Sequence, residues 1–263
     1  MNITQLITPI INQKIIDDSF ELIKNSNQIL ITTHLSPDGD AMGSTLALYH
    51  FLIAEGKKVK IIVPNSFPYF LKWMPGSENV DIFEYNPEAA QTIFNTSDLI
   101  FSLDYNIPKR IGPMAQLLEN AKAKKILIDH HLDPGDIFDI TISYPNISST
   151  CELMFRFLYQ TGRTDIFSKK VSECLYTGMM TDTGGFTFNS NDPDIYQIIS
   201  LLLRNGVDKD RIYSLVFNNL SESRFRLLGY TLSERMKVYT EHNSALMWLS
   251  LEDQEKFVFS KGD

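Results

Sequence analysis

One carboxylate and two imidazoles stand in a row at Asp129-His130-His131, directly behind the apolar run Ile126-Leu127-Ile128. Carboxylate oxygens and imidazole nitrogens are ligands for divalent cations. A buried strand ending in them presents a metal at a sheet edge, where α/β enzymes keep their sites. Asp and His also meet in ordinary strand-end turns, so the triplet takes its weight from three further segments. These are Thr33-His34-Leu35-Ser36-Pro37-Asp38-Gly39-Asp40, Leu103-Asp104 and Thr181-Asp182-Thr183-Gly184-Gly185.

Each segment has a plain structural reading beside the chemical one. Asp40 stands at a helix start and could cap free N–H groups, which leaves His34 and Asp38 unexplained. Asp104 could be a turn residue, and Asp182 could close a helix, although a carboxylate at that end opposes the helix dipole. Taken together, His34, Asp38, Asp40, Asp104, His130 and Asp182 offer four carboxylates and two imidazoles. If they converge, four like charges cannot all stay ionised without cations, and two divalent ions bring the sum near zero. Oxygen-rich ligation with some imidazole suits Mn2+ or Mg2+, with Fe2+ or Co2+ as alternatives; a structural zinc would lean on thiolates. Two metals ~3.5–4 Å apart generate a bridging hydroxide and clamp the oxygens of a phosphoryl centre. The expected chemistry is metal-assisted hydrolysis of a phosphate ester or anhydride.

The elements that must position these groups follow from the apolar pattern. Thr8–Asn25 has helical spacing, with Thr8 as N-cap and Pro9 as the first helical residue. Gln28–Thr33 reads as a buried strand, Ala41–Glu55 as a helix closed by Gly56, and Val59–Val63 as a second strand. This β-α-β order implies a parallel sheet covered on both faces. Asp98–Leu103 and Lys125–Ile128 supply further strands, with a helix over Gly112–Ala123 between them. Helices are expected over Ser149–Thr161, Ser168–Met180, Pro193–Asn205 and Asp208–Phe217. The fold class is α/β: a Rossmann-like parallel sheet flanked by helices, with a helical second half. Residues 1–218 form this domain, 219–243 a connecting helix (Ser221–Tyr239), and 244–263 start a second α/β unit too small for its own core.

The motifs His34-Leu35-Ser36-Pro37-Asp38-Gly39-Asp40-Ala41-Met42-Gly43-Ser44, Asp104, Asp129-His130-His131 and Thr181-Asp182-Thr183-Gly184 resemble, in order and spacing, those of the DHH phosphoesterase superfamily. Thr181–Phe186 and the spacing between motifs most resemble the bacterial nanoRNase/pAp phosphatase branch. That resemblance implies a manganese-dependent hydrolase acting on very short single-stranded RNA, with removal of the 3′-phosphate of 3′-phosphoadenosine 5′-phosphate as a second activity. Cyclic-dinucleotide hydrolysis and a non-catalytic nucleotide-binding module are the alternatives. It implies one metal held by His34, Asp38 and Asp104, and a second by Asp40, Asp104, His130 and Asp182. His131 would face the substrate phosphate and Asp129 would orient the triplet. It also implies a homodimer and a DHH-associated second domain beginning near Ser244. The branch's glycine-rich, histidine-bearing C-terminal motif is not in this sequence, so the sequence is expected to be the front part of a longer protein.

Composition bounds the rest. At 263 residues, with 43% hydrophobic and 21% charged residues, the sequence is that of an ordinary globular protein. A net charge of −8 excludes a broadly basic nucleic-acid-coating surface, though not a nucleotide substrate. No apolar stretch approaches the ~20 residues that span a bilayer, and the N-terminus lacks a basic leader, so a cytoplasmic location is expected. Cys151 and Cys174 read as buried free thiols. His50 and His242 read as structural or solvated, and Ser148-Ser149-Thr150 as a helix cap with a phosphate contact as the lesser reading. Tyr69, Phe70 and Trp73 read as a loop cluster, with stacking on a base as the lesser reading, and Arg110 as an exposed cation, with a phosphate contact from the Asp104 loop as the lesser reading.

Overall fold

The computed structural model describes residues 7–163, 165–218 and 221–259. Six strands form one parallel sheet: β1 (Gln28–Thr33), β2 (Lys58–Val63), β3 (Val80–Ile82), β4 (Leu99–Leu103), β5 (Lys124–Asp129) and β6 (Ile140–Ser143). The spatial order is β3-β2-β1-β4-β5-β6. The chain builds outward to one side from β1 and to the other from β4, so these adjacent strands mark the switch point, with register Ile29↔Leu99 through Thr33↔Leu103. Beyond the carboxyl ends of such strands a crevice opens, because the flanking connections leave in opposite directions.

Alternation along each strand divides the core in two. Ile29, Ile31, Phe101, Ile126 and Ile128 point into the larger cluster with Met42, Leu46 and Phe155. Leu30, Ile62 and Ile100 point into a smaller one with Phe94, Ile111 and Leu118. The larger face is covered by α1 (Gln13–Asn25), α2 (Gly39–Ala54), α5 (Thr150–Tyr159) and α6 (Lys169–Asp182), and the smaller by α3 (Pro87–Thr96) and α4 (Ala115–Asn120). Helix α2 is buried on nearly every side from Gly39 to Leu48, as expected of a helix trapped between a sheet and other helices. Helices α7 (Pro193–Arg204) and α8 (Lys209–Phe217) complete the helical second half.

The α/β architecture is as the sequence implies, and several boundaries differ for physical reasons. Helix α1 begins at Gln13 with Asn12 as N-cap, not at Thr8. The backbone before it is held by distant side chains: Thr8 N–H donates to Asp194, and Ile10 and Ile11 N–H donate to Gln160. The helix expected over Gly112–Ala123 shrinks to Ala115–Asn120, because Gly112 adopts φ 54°, ψ −124° and Pro113 lacks a donor. The short edge strands β3 and β6, and helix α3, lie in segments to which the pattern assigned no element.

Beyond α9 (Glu222–Glu234) the expected helix does not run to Tyr239. Instead β7 (Met236–Tyr239) pairs antiparallel with β8 (Ser244–Met247) through a turn with Asn243 at φ 45°, followed by α10 (Leu251–Lys256). Ser250 caps α10 and Arg235 grips Asp253, so this hairpin-helix unit carries its own ion pair. No helix among the described residues is long and apolar enough to cross a membrane.

Candidate metal centre

The carboxyl ends of β1, β4 and β5 deliver His34, Asp104 and Asp129-His130-His131 to the switch-point crevice. His34 Nδ1 lies 2.9 Å from the Leu35 carbonyl, which in the neutral ring commits that nitrogen as donor. Nε2 is thereby turned to Asp104 Oδ2 at 3.3 Å and Asp38 Oδ2 at 3.8 Å. Asp38, not Asp40, caps α2: its Oδ1 accepts from the N–H groups of Asp40 and Ala41, both at 3.0 Å. The capping alternative for Asp40 at its own helix is therefore set aside. Its carboxylate, 1% exposed, turns away from its own helix to accept N–H bonds from Thr150 (2.6 Å) and Cys151 (2.8 Å) in the first turn of α5.

Asp104 follows β4 directly and sits at φ 62°, a left-handed conformation that costs a non-glycine residue energy and is found where surrounding structure enforces it. Here its N–H is bonded to Ile128 O on β5. The two carboxylate oxygens face different neighbours. Oδ2 meets His34, while Oδ1 lies 3.6 Å from His130 Nε2 and accepts the Thr150 hydroxyl at 2.8 Å. His130 Nε2 is also 3.6 Å from Asp182 Oδ2 and 4.0 Å from Asp40 Oδ2.

Asp182, at the end of α6, reaches this cluster because α6 crosses α2 very closely. A Cβ on Gly43 would lie 2.7 Å from Cys174 O and 2.8 Å from Cys151 Sγ. One on Gly178 would overlap Cys151 Sγ and come within 3.0 Å of Asp40 Oδ1. All six residues expected as ligands thus converge. His34, Asp38 and Asp104 can surround one cation, as can Asp40, His130 and Asp182, and Asp104, His130 and His131 make a third overlapping trio.

The remaining residues of the triplet have different surroundings. Asp129, fully buried at the end of β5, accepts both the ring Nδ1 of His131 (2.7 Å) and its backbone N–H (3.0 Å). The outward Nε2 of His131 lies 3.4 Å from Arg110 Nη2, which brings the two candidate substrate contacts together. The sequence reading gave Ser148-Ser149-Thr150 a cap and a lesser phosphate contact. Ser149 does cap α5, but Thr150 bonds two of the clustered carboxylates. A hydroxyl residue one place past a cap was the available signal, and nothing local tied it to Asp40 or Asp104.

Most residues read as structural are so placed, but the expected aromatic loop cluster is not, since Tyr69 stands 77% exposed. His50 Nε2 lies 2.8 Å from the Pro75 carbonyl, and His242 is exposed in the β7–β8 turn. Phe70 and Trp73 pack on the core. Cys151 and Cys174 are buried and free. Burial, with Asp40 alongside, pushes the Cys151 thiol well up, leaving an unreactive sulfur.

Electrostatics express the crowding. Burial raises Asp40 well above its ordinary range, and repulsion from Asp104, Asp182 and Asp38 adds to it. Asp182 is pushed up to about 6 by burial, with Asp104 and Asp38 contributing. Burial disfavours a charged His34, yet the facing carboxylates of Asp104 and Asp38 overcome it and hold the ring protonated up to about 10. Burial likewise opposes ionised Asp104, but His34, His130 and the Thr150 hydroxyl outweigh it and keep this carboxyl below its ordinary value. Without cations, protons take their place, and an oxygen-rich set with two imidazoles fits divalent cations.

A doubly covered parallel sheet with this cluster at its switch point defines an α/β protein built around a candidate bimetal centre. The model described as "DHH family, N-terminal domain" matches residues 28–179, more than half of the sequence, and the chain belongs to the DHH family. It is 30% identical over 207 residues to the bifunctional oligoribonuclease and PAP phosphatase NrnA of Thermus thermophilus, covering 78% of this chain and 58% of that protein. It is 25% identical to the cyclic-di-AMP phosphodiesterase GdpP of Bacillus subtilis over 90% of this chain and 36% of the relative. Among solved structures, an exopolyphosphatase-related protein from Bacteroides fragilis superposes with a TM-score of 0.94 at 51% identity, covering 97% of this chain and 75% of that one. The chain spans less than two thirds of the length of these curated relatives.

Proposed function

We propose that this chain carries the catalytic domain of a two-metal phosphoesterase that hydrolyses short oligoribonucleotides to mononucleotides and removes the 3′-phosphate of 3′-phosphoadenosine 5′-phosphate. The observation that carries the reading is the division of Asp104, one oxygen toward His34 and the other toward His130. In this reading His34, Asp38 and Asp104 hold one cation and Asp40, Asp104, His130 and Asp182 the other. Mn2+ is favoured by the mixed carboxylate-imidazole donors. A bound pair of such cations supplies a nucleophile at neutral pH and neutralises charge on a phosphoryl group.

The protein's own groups do the rest. Asp129 fixes the His131 ring so that Nε2 faces outward and favours its protonated form, in which Nε2–H is placed to donate to a phosphoryl oxygen as charge develops there. Arg110, beside it, adds a permanent positive charge with fork geometry suited to phosphate. Residues 1–218 would form the catalytic domain, and the hairpin-helix unit from Ser244 the start of a substrate-binding one. Likeness to NrnA supports the linear substrate; likeness to GdpP supports cyclic dinucleotide as the second reading.

A substrate panel tests the reading: a diribonucleotide, 3′-phosphoadenosine 5′-phosphate, a cyclic dinucleotide, pyrophosphate and polyphosphate, each with Mn2+, for the wild type and Asp104→Ala. Mononucleotide release by the wild type, abolished in the variant, is expected. Turnover retained by Asp104→Ala would sink the two-metal assignment, and stoichiometric metal without any hydrolysis would favour a binding module.

A further inference from the structure

We propose that Thr150 is a positioning residue that builds the second cation site, the one formed around Asp40, His130 and Asp182; the inference rests on the two-metal reading above. Thr150 touches two of the clustered carboxylates at once. Its backbone N–H donates to Asp40 Oδ2 at 2.6 Å, and its hydroxyl donates to Asp104 Oδ1 at 2.8 Å. Both acceptor oxygens are on the His130 side of the cluster. No comparable contact to the His34 side, through Asp38 Oδ2 or Asp104 Oδ2, involves Thr150 among the described hydrogen bonds.

The usual work of a hydroxyl residue at a helix start does not account for this. Ser149 is the N-cap of α5, its Oγ accepting from Glu152 N–H at 3.0 Å. Thr150 therefore has no capping task, and its fully buried hydroxyl has its single proton committed to Asp104. A carboxylate free to turn about its Cβ–Cγ bond could give either oxygen to either cation. The Thr150 hydrogen bond removes that freedom by occupying one lone pair of Oδ1 and leaving the other toward His130. Hydrogen bonds to ionised acceptors of this kind are about twice as strong as neutral ones.

The mount is rigid. Glu152 accepts from both Ser148 N–H and its hydroxyl, and Arg156 donates through Nε and Nη2 to the other oxygen of the same carboxylate. Glu152 is 1% and Arg156 2% exposed. The turn that presents Thr150 is thus clamped from below, and its position relative to β4 is set by the packed core.

Thr150→Val keeps the shape and the backbone N–H while removing the hydroxyl; Thr150→Ser restores it. Mn2+ titration by calorimetry and by electron paramagnetic resonance reads the result without reference to turnover. Wild type is expected to bind two Mn2+ and give an exchange-coupled spectrum. Thr150→Val should bind the first ion normally and the second ~10–100-fold more weakly. At intermediate Mn2+ it should show the six-line spectrum of an isolated ion. Thr150→Ser should regain the coupled spectrum, and Thr150→Ala supplies the same reading as Val if the latter melts below the working temperature. A wild type with two ions and a Thr150→Val indistinguishable from it would overturn the role of Thr150 alone. A wild type that binds one ion at saturation would overturn both this role and the two-metal reading.

Discussion

Asp129 holds His131 at two points, taking the ring Nδ1 on one oxygen at 2.7 Å and the backbone N–H on the other at 3.0 Å. This grip fixes the ring plane and leaves Nε2 pointing toward Arg110. Asp129 itself is fully buried, and its described ion pair is with His131, which is not one of the six clustered ligands.

That separation gives the first prediction. Asp129→Asn keeps the volume but offers one acceptor where two are used, so either the ring or the backbone N–H loses its partner. Turnover should fall ~10–100-fold, as for other residues that orient a site from behind, while Mn2+ stoichiometry stays at the wild-type value. The same hydrogen bond raises His131 above its ordinary pKa against the effect of burial, so the high-pH limb of the rate profile should move to lower pH in the variant. Loss of metal along with turnover would show that Asp129 supports the cluster instead.

The metal-free cluster stores protons, and metal binding must release them. His34 stays charged up to about 10, so at neutral pH its proton has to leave before Nε2 can ligate. Calorimetry in two buffers of different ionisation enthalpy should show proton release, and Mn2+ affinity should rise with pH. Stability moves the other way. Between 6.5 and about 10 the native state holds a proton on His34 that the unfolded chain has lost, so stability falls as pH rises through that window. Asp182, raised from 3.8 to about 6, acts in the same direction at lower pH. In EDTA the Tm should therefore decline with rising pH, and Mn2+ should flatten that slope. A pH-independent difference between the two conditions would contradict the proton-for-metal exchange.

Much of this was legible in the sequence, because ligand type and strand-end position are local properties. The apolar runs before His34, Asp104 and Asp129 announce buried strands, and parallel sheets put their sites at strand ends. What was hidden depends on tertiary contact. Thr150 reaches Asp40 across 110 positions, and Asp38, not Asp40, caps α2, with Asp40 bonded to α5 instead. The Thr8–Ile11 segment stays outside α1, with Asp194 and Gln160 satisfying its backbone, which no local signal predicts. Edge strands β3 and β6 escaped notice because three or four half-buried residues carry little pattern.

The crossing of α2 and α6 supplies a third prediction. Gly178→Ala puts a methyl into Cys151 Sγ and against Asp40 Oδ1, and neither can retreat, both being fully packed. Overpacking of this kind costs about 1–3 kcal/mol, read as a lower Tm in EDTA. Because Asp40 is one of the atoms displaced, Mn2+ affinity should fall as well. Replacing Cys151 by Ser in the same chain makes room at the sulfur alone; it should recover part of the Tm. A Gly178→Ala protein as stable as wild type would mean the helices separate freely.

Asp182 separates the needs of folding from those of metal binding. Among the clustered carboxyls it is more exposed than Asp40 and Asp104, at 28% of its side chain against 1% and 3%. No described hydrogen bond is made by its side chain, so an amide there abandons only the 3.6 Å approach to His130. Burial and the charges of Asp104 and Asp38 disfavour its ionised form, while His130 favours it. Asp182→Asn is neutral in both states, whereas the wild-type carboxyl is neutral in the native state up to about 6 but ionised in the unfolded chain above 3.8. The metal-free variant should therefore match wild type in thermal melts below about pH 4, pull ahead of it as pH rises to about 6, and keep that margin above. An amide is a poorer ligand than a carboxylate, so Mn2+ should bind more weakly and turnover should fall. The melting curves of the two proteins should cross as Mn2+ is added, wild type gaining more from the ion. A variant less stable than wild type without metal, at a pH where Asp182 is ionised, would show that the carboxylate is stabilising and that repulsion does not dominate this cluster.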